Sequence, residues 1–316
     1  MASSRTDPAA RLERSVLLVP ASNPRMIAKA AASAADAVCI DLEDAVAPSE
    51  KAASRANVID ALLHLDFGHS LRLFRMNALD TPFAYRDLIE VVEAAGDHLD
   101  LVMLPKVDRP EDVYVVETLL TQIEMAKGFP NRIGIEAQIE TALGCVHVNA
   151  IAACSPRVET IIYGPGDYAA SLQMPMDVIG VPDENDARYP GHRWHAIMQS
   201  VVVAARAYGK RCMDGPYAAF RDAEGFERAC EIGRVMGFDG KWAIHPSQIE
   251  TLNRVFSLPE AQVAWAHCLL DAYQEALRAG TGAITVDSKM VDAASLRVAR
   301  IIVAKNALAA ARNVVA

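Results

Sequence analysis

The stretch from Arg132 to Leu172 reads RIGIEAQIETALGCVHVNAIAACSPRVETIIYGPGDYAASL. It opens on a short apolar run, residues 132–140, which predicts a strand, and passes into an Ala-rich helical segment at 141–153. VETIIY at 158–163 predicts a second strand. Short apolar runs joined by helical segments are the pattern of βα units around a parallel sheet. Each strand runs into a carboxylate: Glu140 after the first, and Gly164-Pro165-Gly166-Asp167 after the second.

The same unit recurs on both sides. Further strands are predicted at 15–20, 37–42, 71–76, 101–105, 211–215 and 239–244. Helices are predicted at 24–34, 49–63, 83–95, 110–127, 193–208 and 222–237, with a last one near 246–256. Eight βα units in about 240 residues is the usual size of a (β/α)8 barrel, whereas an open doubly wound sheet more often stops at five to seven strands. The expected fold is therefore α/β, a TIM barrel over residues 14–257. Residues 1–13 are expected to be a flexible N-terminal tail. Residues 258–316 are expected to form a C-terminal helical lid or oligomerisation extension: a helix at 259–279, the turn AGTGAITV, and a helix at 290–313. The polar insert MPMDVIGVPDENDARYPGHR (174–193) reads as a long loop on the barrel mouth.

Composition limits the partners. The 316 residues carry 31 Lys+Arg against 40 Asp+Glu, a net charge of −9, which argues against nucleic acid as the main partner. No apolar run approaches the roughly 18 residues of a membrane span, and the N-terminus lacks the apolar core of a secretory signal. A cytoplasmic protein with no membrane partner is expected. Cys39, Cys145, Cys154, Cys212, Cys230 and Cys268 are widely spread, with no CxxC pair and no zinc-ligand spacing. Cys39, inside the apolar run from Ala37 to Ile40, reads as a buried structural thiol.

The charges at the strand ends carry the chemistry, because a TIM barrel places its reactive groups at the C-terminal ends of its strands. The second strand ends in Asp41-Leu42-Glu43-Asp44, the third at Arg75, the fourth in Pro105-Lys106, the fifth at Glu140, and the sixth runs into Asp167. Asp214-Gly215 and His245-Pro246 follow the seventh and eighth. Glu140 and Asp167 follow successive strands, which lie about 4.8 Å apart in a simple barrel. Two carboxylates converging there would repel without a cation between them, and Mg²⁺ is commonly held by one or two carboxylates plus water and substrate oxygens. Arg75 has a structural role open to it, neutralising Glu43 or Asp44, and alongside it a functional one as a planar cation for a carboxylate or a developing enolate oxygen. Glu136 shares the parity of Glu140 but lies deeper, and reads as the buried partner of a barrel Lys or Arg. His192 and His195 lack the companions of a zinc site. There is no Walker loop, no GxSxG elbow and no GxGxxG fingerprint.

VPASNPRMIAKAAASAADAVCIDLEDAVAPSEKAASRANV, FRMNALDT, MLPKVDRPEDV, IGIEAQIETALG and YGPGDYAASL together resemble the HpcH/HpaI aldolase and citrate lyase family, in its branch acting on CoA esters. RAYGKRCMDGPYAAFRDAEGF, GFDGKWAIHPSQIETLNRVF and GAITVDSKMVDAASLRVARII look like its malyl-CoA/β-methylmalyl-CoA lyase group, and the resemblance runs over about residues 14–305 in order. The insert 174–193 reads shorter than in that group, which bears on acyl specificity.

The resemblance implies a carbon–carbon lyase that cleaves a 3-hydroxyacyl-CoA, such as malyl-CoA, reversibly to acetyl-CoA or propionyl-CoA and glyoxylate. It implies Mg²⁺, with Mn²⁺ as a substitute, held by Glu140 and Asp167, and Arg75 facing the oxo-acid and enolate oxygens. Glu43 and Asp44 would orient Arg75 and water. Asp292 would be the acid/base carried by a lid from the adjacent subunit of a homotrimer or dimer of trimers, with Asp287 a poorer match nearby. Arg25 and Lys29 would meet the CoA phosphates. Alternatives are citramalyl-CoA or citryl lyase activity, a thioesterase or malate-synthase-like activity, and, in a different class, a non-catalytic subunit of an acyl-carrier complex.

Overall fold

The computed structural model describes residues 11–189, 191–278, 284–286, 289–291 and 293–313. The chain divides after Phe256 into two compact units, each described by itself.

In the first unit, eight parallel strands close into a barrel in sequence order. They are β1 (Ser15–Pro20), β2 (Ala37–Asp41), β3 (Leu71–Arg75), β4 (Leu101–Leu104), β5 (Gly134–Ile139), β6 (Val158–Tyr163), β7 (Arg211–Asp214) and β8 (Gly240–Ala243), and β8 pairs back onto β1. The helices are α1 (Pro24–Ala31), α2 (Lys51–His64), α3 (Ala84–Ala95), α4 (Pro110–Lys127), α5 (Ala142–Ala153), α6 (Pro165–Ser171), α7 (Glu184–Arg188), α8 (His195–Ala207), α9 (Ala223–Met236) and α10 (Ile249–Val255). This is the expected (β/α)8 barrel. The two-residue period of each strand sorts its side chains. Ala37, Cys39, Leu71, Leu73, Leu101, Met103, Met213 and Trp242 pack together inside the barrel. Val38, Ile40, Phe74, Val102, Ile135, Ala137 and Ile139 join the larger core beneath the helices. That inward parity continues to Asp41, Arg75 and Glu140, so the rule that builds the core also aims these charges into the mouth.

Residues 11–13 correct the expectation of a loose tail. Arg11 and Glu13 are buried at the opposite end of the barrel. Arg11 donates to Glu159 (2.8 Å) and to the Asp100 carbonyl, and Arg211 pairs with Glu13 (3.1 Å) and Glu159 (2.9 Å). Charged groups are buried there because they are mutually paired. Glu136 feels the charge of Arg211, as its expected place beside a barrel Lys or Arg requires, but without a hydrogen bond between them. It is wholly buried, and neither carboxylate oxygen has a hydrogen-bond partner. Burial, followed by the nearby Glu13, pushes its carboxyl well above the usual range.

The insert is more ordered than a long loop. It contains α7, and Arg193 ties it together through Asp183 and Asp186, each at 3.0 Å. Gly180, at φ +74°, lies where a Cβ would come within 2.2 Å of the Pro216 carbonyl oxygen. That close approach lets the Ala218 N–H reach the Ile179 carbonyl (2.9 Å).

The second unit pairs α11 (Glu260–Arg278) with α12 (Ala293–Asn313) around Ala266, Leu269, Leu296, Ala299 and Ile302. Between the helices runs an antiparallel hairpin, β9 (Ile284–Val286) and β10 (Lys289–Val291), where a turn and an earlier helix start were expected. Among the described residues, no helix is long and apolar enough to cross a membrane.

Candidate active site

The mouth of the barrel is organised by Asp41. It is the last residue of β2 and stands in register with Arg75, the last residue of β3. Arg75 Nε and Nη2 donate to its two oxygens at 2.7 and 2.6 Å, a bidentate fork. The same oxygens accept the backbone N–H groups of Glu43 (2.9 Å) and Ala45 (3.1 Å), which folds the segment after β2 into a tight turn. Lys51, reaching in from α2, donates to the carbonyls of Leu42 and Glu43 and pins that turn. Burial works against the Asp41 charge, but the Arg75 guanidinium and the N–H donors outweigh it and hold the carboxyl below its usual range. Arg75 is itself buried, and Trp242 lies 5.6 Å beneath it in a cation–π contact.

Glu43 is buried beside this pair. Its Oε2 is 2.9 Å from Arg75 Nη1 but outside hydrogen-bonding geometry, and Lys106 Nζ donates to its Oε1. Burial raises its carboxyl above the usual range despite both cations. Asp44 is more exposed, 3.7 Å from Arg75 and 3.6 Å from Lys106.

Glu140 follows β5 because Thr141 ends the strand by capping α5, its hydroxyl accepting the Gly144 N–H at 2.9 Å. The Glu140 carboxylate is buried and accepts from the Lys106 backbone N–H (2.9 Å) and from Gln138 Nε2 (2.5 Å). Gly164 makes room for it, since a Cβ there would lie 2.5 Å from Glu140 Oε2. Burial, then the charges of Glu43 and Asp167, pushes this carboxyl up to about 8. Asp167 sits in the first turn of α6, partly exposed, 3.7 Å from Lys106 Nζ.

Five carboxylates thus gather around two cations, Arg75 and Lys106. Like charges at such separations are unfavourable unless a further cation joins them. Glu43 Oε2 and Gln138 Oε1 are buried polar atoms without a hydrogen-bond partner, a second sign that the cluster is completed by a ligand. Among the described residues, no three His, Cys, Asp or Glu side chains are grouped to hold a metal. The donor set instead fits an ion that takes two carboxylates and fills its shell with water and substrate oxygens, as Mg²⁺ does.

The structure therefore brings together Arg75, Glu43, Asp44, Glu140 and Asp167. Arg25 and Lys29 are exposed one turn apart on α1, and among the described residues neither makes a hydrogen bond or ion pair with the acid cluster. Asp287 and Asp292 lie outside the described residues. Sequence reasoning gave no role to Asp41, which ends β2, or to Lys106, which follows β4 by two residues. Asp41 had a signal in its inward parity with Ala37 and Cys39.

The family model of HpcH/HpaI aldolase/citrate lyase matches residues 14–246. The chain is 42% identical over 302 residues to an L-malyl-CoA/β-methylmalyl-CoA lyase of Cereibacter sphaeroides, covering 94% of this chain and 95% of that protein. It is 38% identical over 302 residues to a (3S)-malyl-CoA thioesterase of the same species, covering 95% and 96%. Among solved structures it is similar to the CitE protein of Mycobacterium tuberculosis in complex with magnesium, acetoacetate and coenzyme A. The TM-score is 0.73 at 28% identity, over 94% of this chain and 99% of that one.

Proposed function

The chain belongs to the HpcH/HpaI aldolase/citrate lyase family, and from that premise we propose that it is a Mg²⁺-dependent carbon–carbon lyase. Its substrate is a 3-hydroxyacyl-CoA, malyl-CoA or β-methylmalyl-CoA, cleaved reversibly to acetyl-CoA or propionyl-CoA and glyoxylate. The observation that carries this reading is Arg75, locked in a fork by Asp41 beside an acid cluster whose charge exceeds that of its own cations.

Glu140 and Asp167 hold the metal in this reading, with Mn²⁺ as a substitute for Mg²⁺. When bound, the ion supplies Lewis-acid polarisation of the substrate's hydroxyl or oxo oxygen. Arg75 cannot swing freely, because its Nε and Nη2 are engaged by Asp41; its Nη1, ion-paired with Glu43 at 2.9 Å outside hydrogen-bonding geometry, is the nitrogen whose hydrogens remain to meet ligand oxygens. A base takes the hydroxyl proton, the carbon–carbon bond breaks, and its electron pair moves onto the thioester as an enolate. Arg75 stabilises that enolate, an effect of a few kcal/mol for a fixed donor in a water-poor site, about 10²–10³ in rate. Glu43 and Asp44 flank the guanidinium and restrict its motion. Asp292 then delivers a proton to the enolate carbon and removes it in the condensation direction.

We further propose that residues 258–316 form a lid that carries Asp292 to a neighbouring subunit in a trimer or dimer of trimers, that Arg25 and Lys29 meet the CoA phosphates, and that the enzyme acts in the cytoplasm. The purified chain with Mg²⁺ is to be given malyl-, β-methylmalyl-, citramalyl- and citryl-CoA, with glyoxylate, pyruvate, oxaloacetate and free CoA thiol read in parallel. Glyoxylate is expected from the first two. Free thiol without glyoxylate would favour a second reading, hydrolysis of the thioester, supported by the 38% identical thioesterase. No product in any channel without an added carrier protein would sink the stand-alone enzyme. Mixing Asp292→Ala with Arg75→Ala should restore part of the activity; failure despite demonstrated subunit exchange would refute the shared site.

A further inference from the structure

Lys106 follows β4 and has a backbone φ of +50°. That region crowds any residue with a Cβ, so a lysine stays there only when its surroundings hold it. Two bonds are gained by the conformation. Its own N–H points to Glu140 Oε1 (2.9 Å), and the next N–H, of Val107, reaches the Gln138 carbonyl (3.1 Å). The side chain meanwhile runs across the mouth. Its ammonium donates to Glu43 and lies 3.6 Å from Asp44 and 3.7 Å from Asp167. One residue therefore touches four of the five acids, two elements of its main chain and side chain acting at once. The fifth acid, Asp41, belongs to Arg75, whose fork is thereby committed.

We infer that Lys106 is a positioning residue: its left-handed N–H aims Glu140, and its ammonium keeps Glu43, Asp44 and Asp167 gathered and sets how tightly the cluster takes a divalent cation. The inference rests on the metal reading above and deepens it. The ammonium and the divalent ion answer the same excess of negative charge. While the ammonium is present it opposes ion binding and stabilises the ion-free cluster. Removing it makes the cluster bind a cation more strongly and tolerate its absence less well.

The test uses the full-length chain and counts bound Mn²⁺ from the free-ion EPR signal, with melting temperatures measured with and without Mg²⁺. Lys106→Met should bind Mn²⁺ about tenfold or more tightly than wild type, the expected direction and scale when a unit positive charge is removed within a few ångströms. Its melting temperature should fall without metal, and saturating Mg²⁺ should recover most of that fall. Lys106→Arg should keep affinity near wild type. Lys106→Gln, which retains a donor without the charge, carries the same expectations should Lys106→Met not fold. For the backbone half, Lys106→Gly should melt above Lys106→Ala, because glycine accepts the positive φ and alanine does not. Unchanged or weaker Mn²⁺ binding in the uncharged variants, or a stability loss that metal does not reduce, would overturn the ammonium's role. Lys106→Ala melting at or above Lys106→Gly would overturn the backbone's. A wild-type chain that binds no Mn²⁺ would refute the metal reading itself and this inference with it.

Discussion

Asp41→Asn isolates the fork that fixes Arg75. Each Asp41 oxygen accepts two bonds: Oδ1 from Arg75 Nε and the Glu43 N–H, Oδ2 from Arg75 Nη2 and the Ala45 N–H. An asparagine must put its amide nitrogen in one of those places. Whichever way it flips, it loses one guanidinium bond and one backbone bond, and sets a donor against two donors. The site is buried, so water cannot substitute. Breaking one side of a buried ion pair costs about 3–5 kcal/mol, and that is the expected loss in urea or guanidinium unfolding at pH 7. Arg75 also loses its alignment, and a displacement of about 1 Å at a reacting group costs on the order of 10²-fold in kcat/KM. Because the Asp41 carboxyl is held below its usual range, its stabilisation is complete above the unfolded value of about 3.9 and is lost only as pH falls through the depressed folded value. The gap between wild type and variant should therefore be constant from pH 6 to 8 (roughly the plateau of this linkage) and close only in strong acid. Asp44→Asn is the control: more than half exposed and 3.7 Å from Arg75, it should change stability by less than about 0.5 kcal/mol. An Asp41→Asn enzyme within about 1 kcal/mol of wild type and within threefold in kcat/KM would refute the account of Arg75 as a fork-held group.

Three further outcomes are expected. Asp167→Asn should abolish Mg²⁺-dependent turnover while changing stability by no more than about 0.5 kcal/mol, since the side chain is partly exposed; near-normal turnover would remove it from the metal site. Gly164→Ala should lower kcat/KM on the order of 10²-fold by pushing Glu140 aside, whereas Gly166→Ala, whose added Cβ meets only the Ile179 side chain at 3.1 Å, should be nearly silent; equal effects would count against a specific Gly164–Glu140 contact. Glu136→Gln should stabilise the fold increasingly with pH. The folded carboxyl is raised by burial and by Glu13, so wild-type stability falls as pH rises above the unfolded value of about 4.3, by up to about 1.4 kcal/mol per pH unit; a pH-independent gap between the two proteins at pH 5 and pH 7 would show that Glu136 is not held protonated.

The barrel was legible because its strands differ sharply from what surrounds them. Ser15–Pro20 and Val158–Tyr163 begin and end where the apolar runs do. Elements below the length at which periodicity can speak were not. Pro165–Ser171 is seven residues, and its Gly-Pro-Gly start reads as a turn. Ile284–Val286 and Lys289–Val291 are three residues each, and gain their meaning only from pairing with each other. The charged mouth was legible as a set, since Glu43, Arg75, Glu140 and Asp167 all follow strands. The division of labour within it was not. DLED offers three acids, and only the register of Asp41 against Arg75 decides which one takes the fork. Lys106 had still less to announce it, because a positive φ leaves a sequence trace at glycine or asparagine and none at lysine.

Glu136 and Glu140 show where such reading stops and why. They lie on the same strand line, both on its inward parity, both buried, and both with carboxyls raised first by desolvation. Nothing in IEAQIE distinguishes a deep acid from a working one except four residues of distance. The difference is made by what the rest of the chain delivers to each level of the barrel. At the lower level, Arg11 and Arg211 are already engaged by Glu159 and Glu13, and the residues around 11–14 close the floor. Arg211 offsets the burial of an acid there only in part, and the carboxyl is raised well above its usual range. At the upper level, the mouth brings Lys106 N–H and Gln138 to Glu140, places Asp167 nearby, and leaves Glu43 Oε2 and Gln138 Oε1 without hydrogen-bond partners. An acid in that setting has two ways to lose its excess charge, a proton or a cation, and the surrounding carboxylates favour the ion that several of them can share. The same chemistry, burial of a glutamate, thus gives a structural acid at one height and a candidate metal ligand at the other, and the choice is set by contacts from residues as far apart in sequence as Arg11 and Arg211.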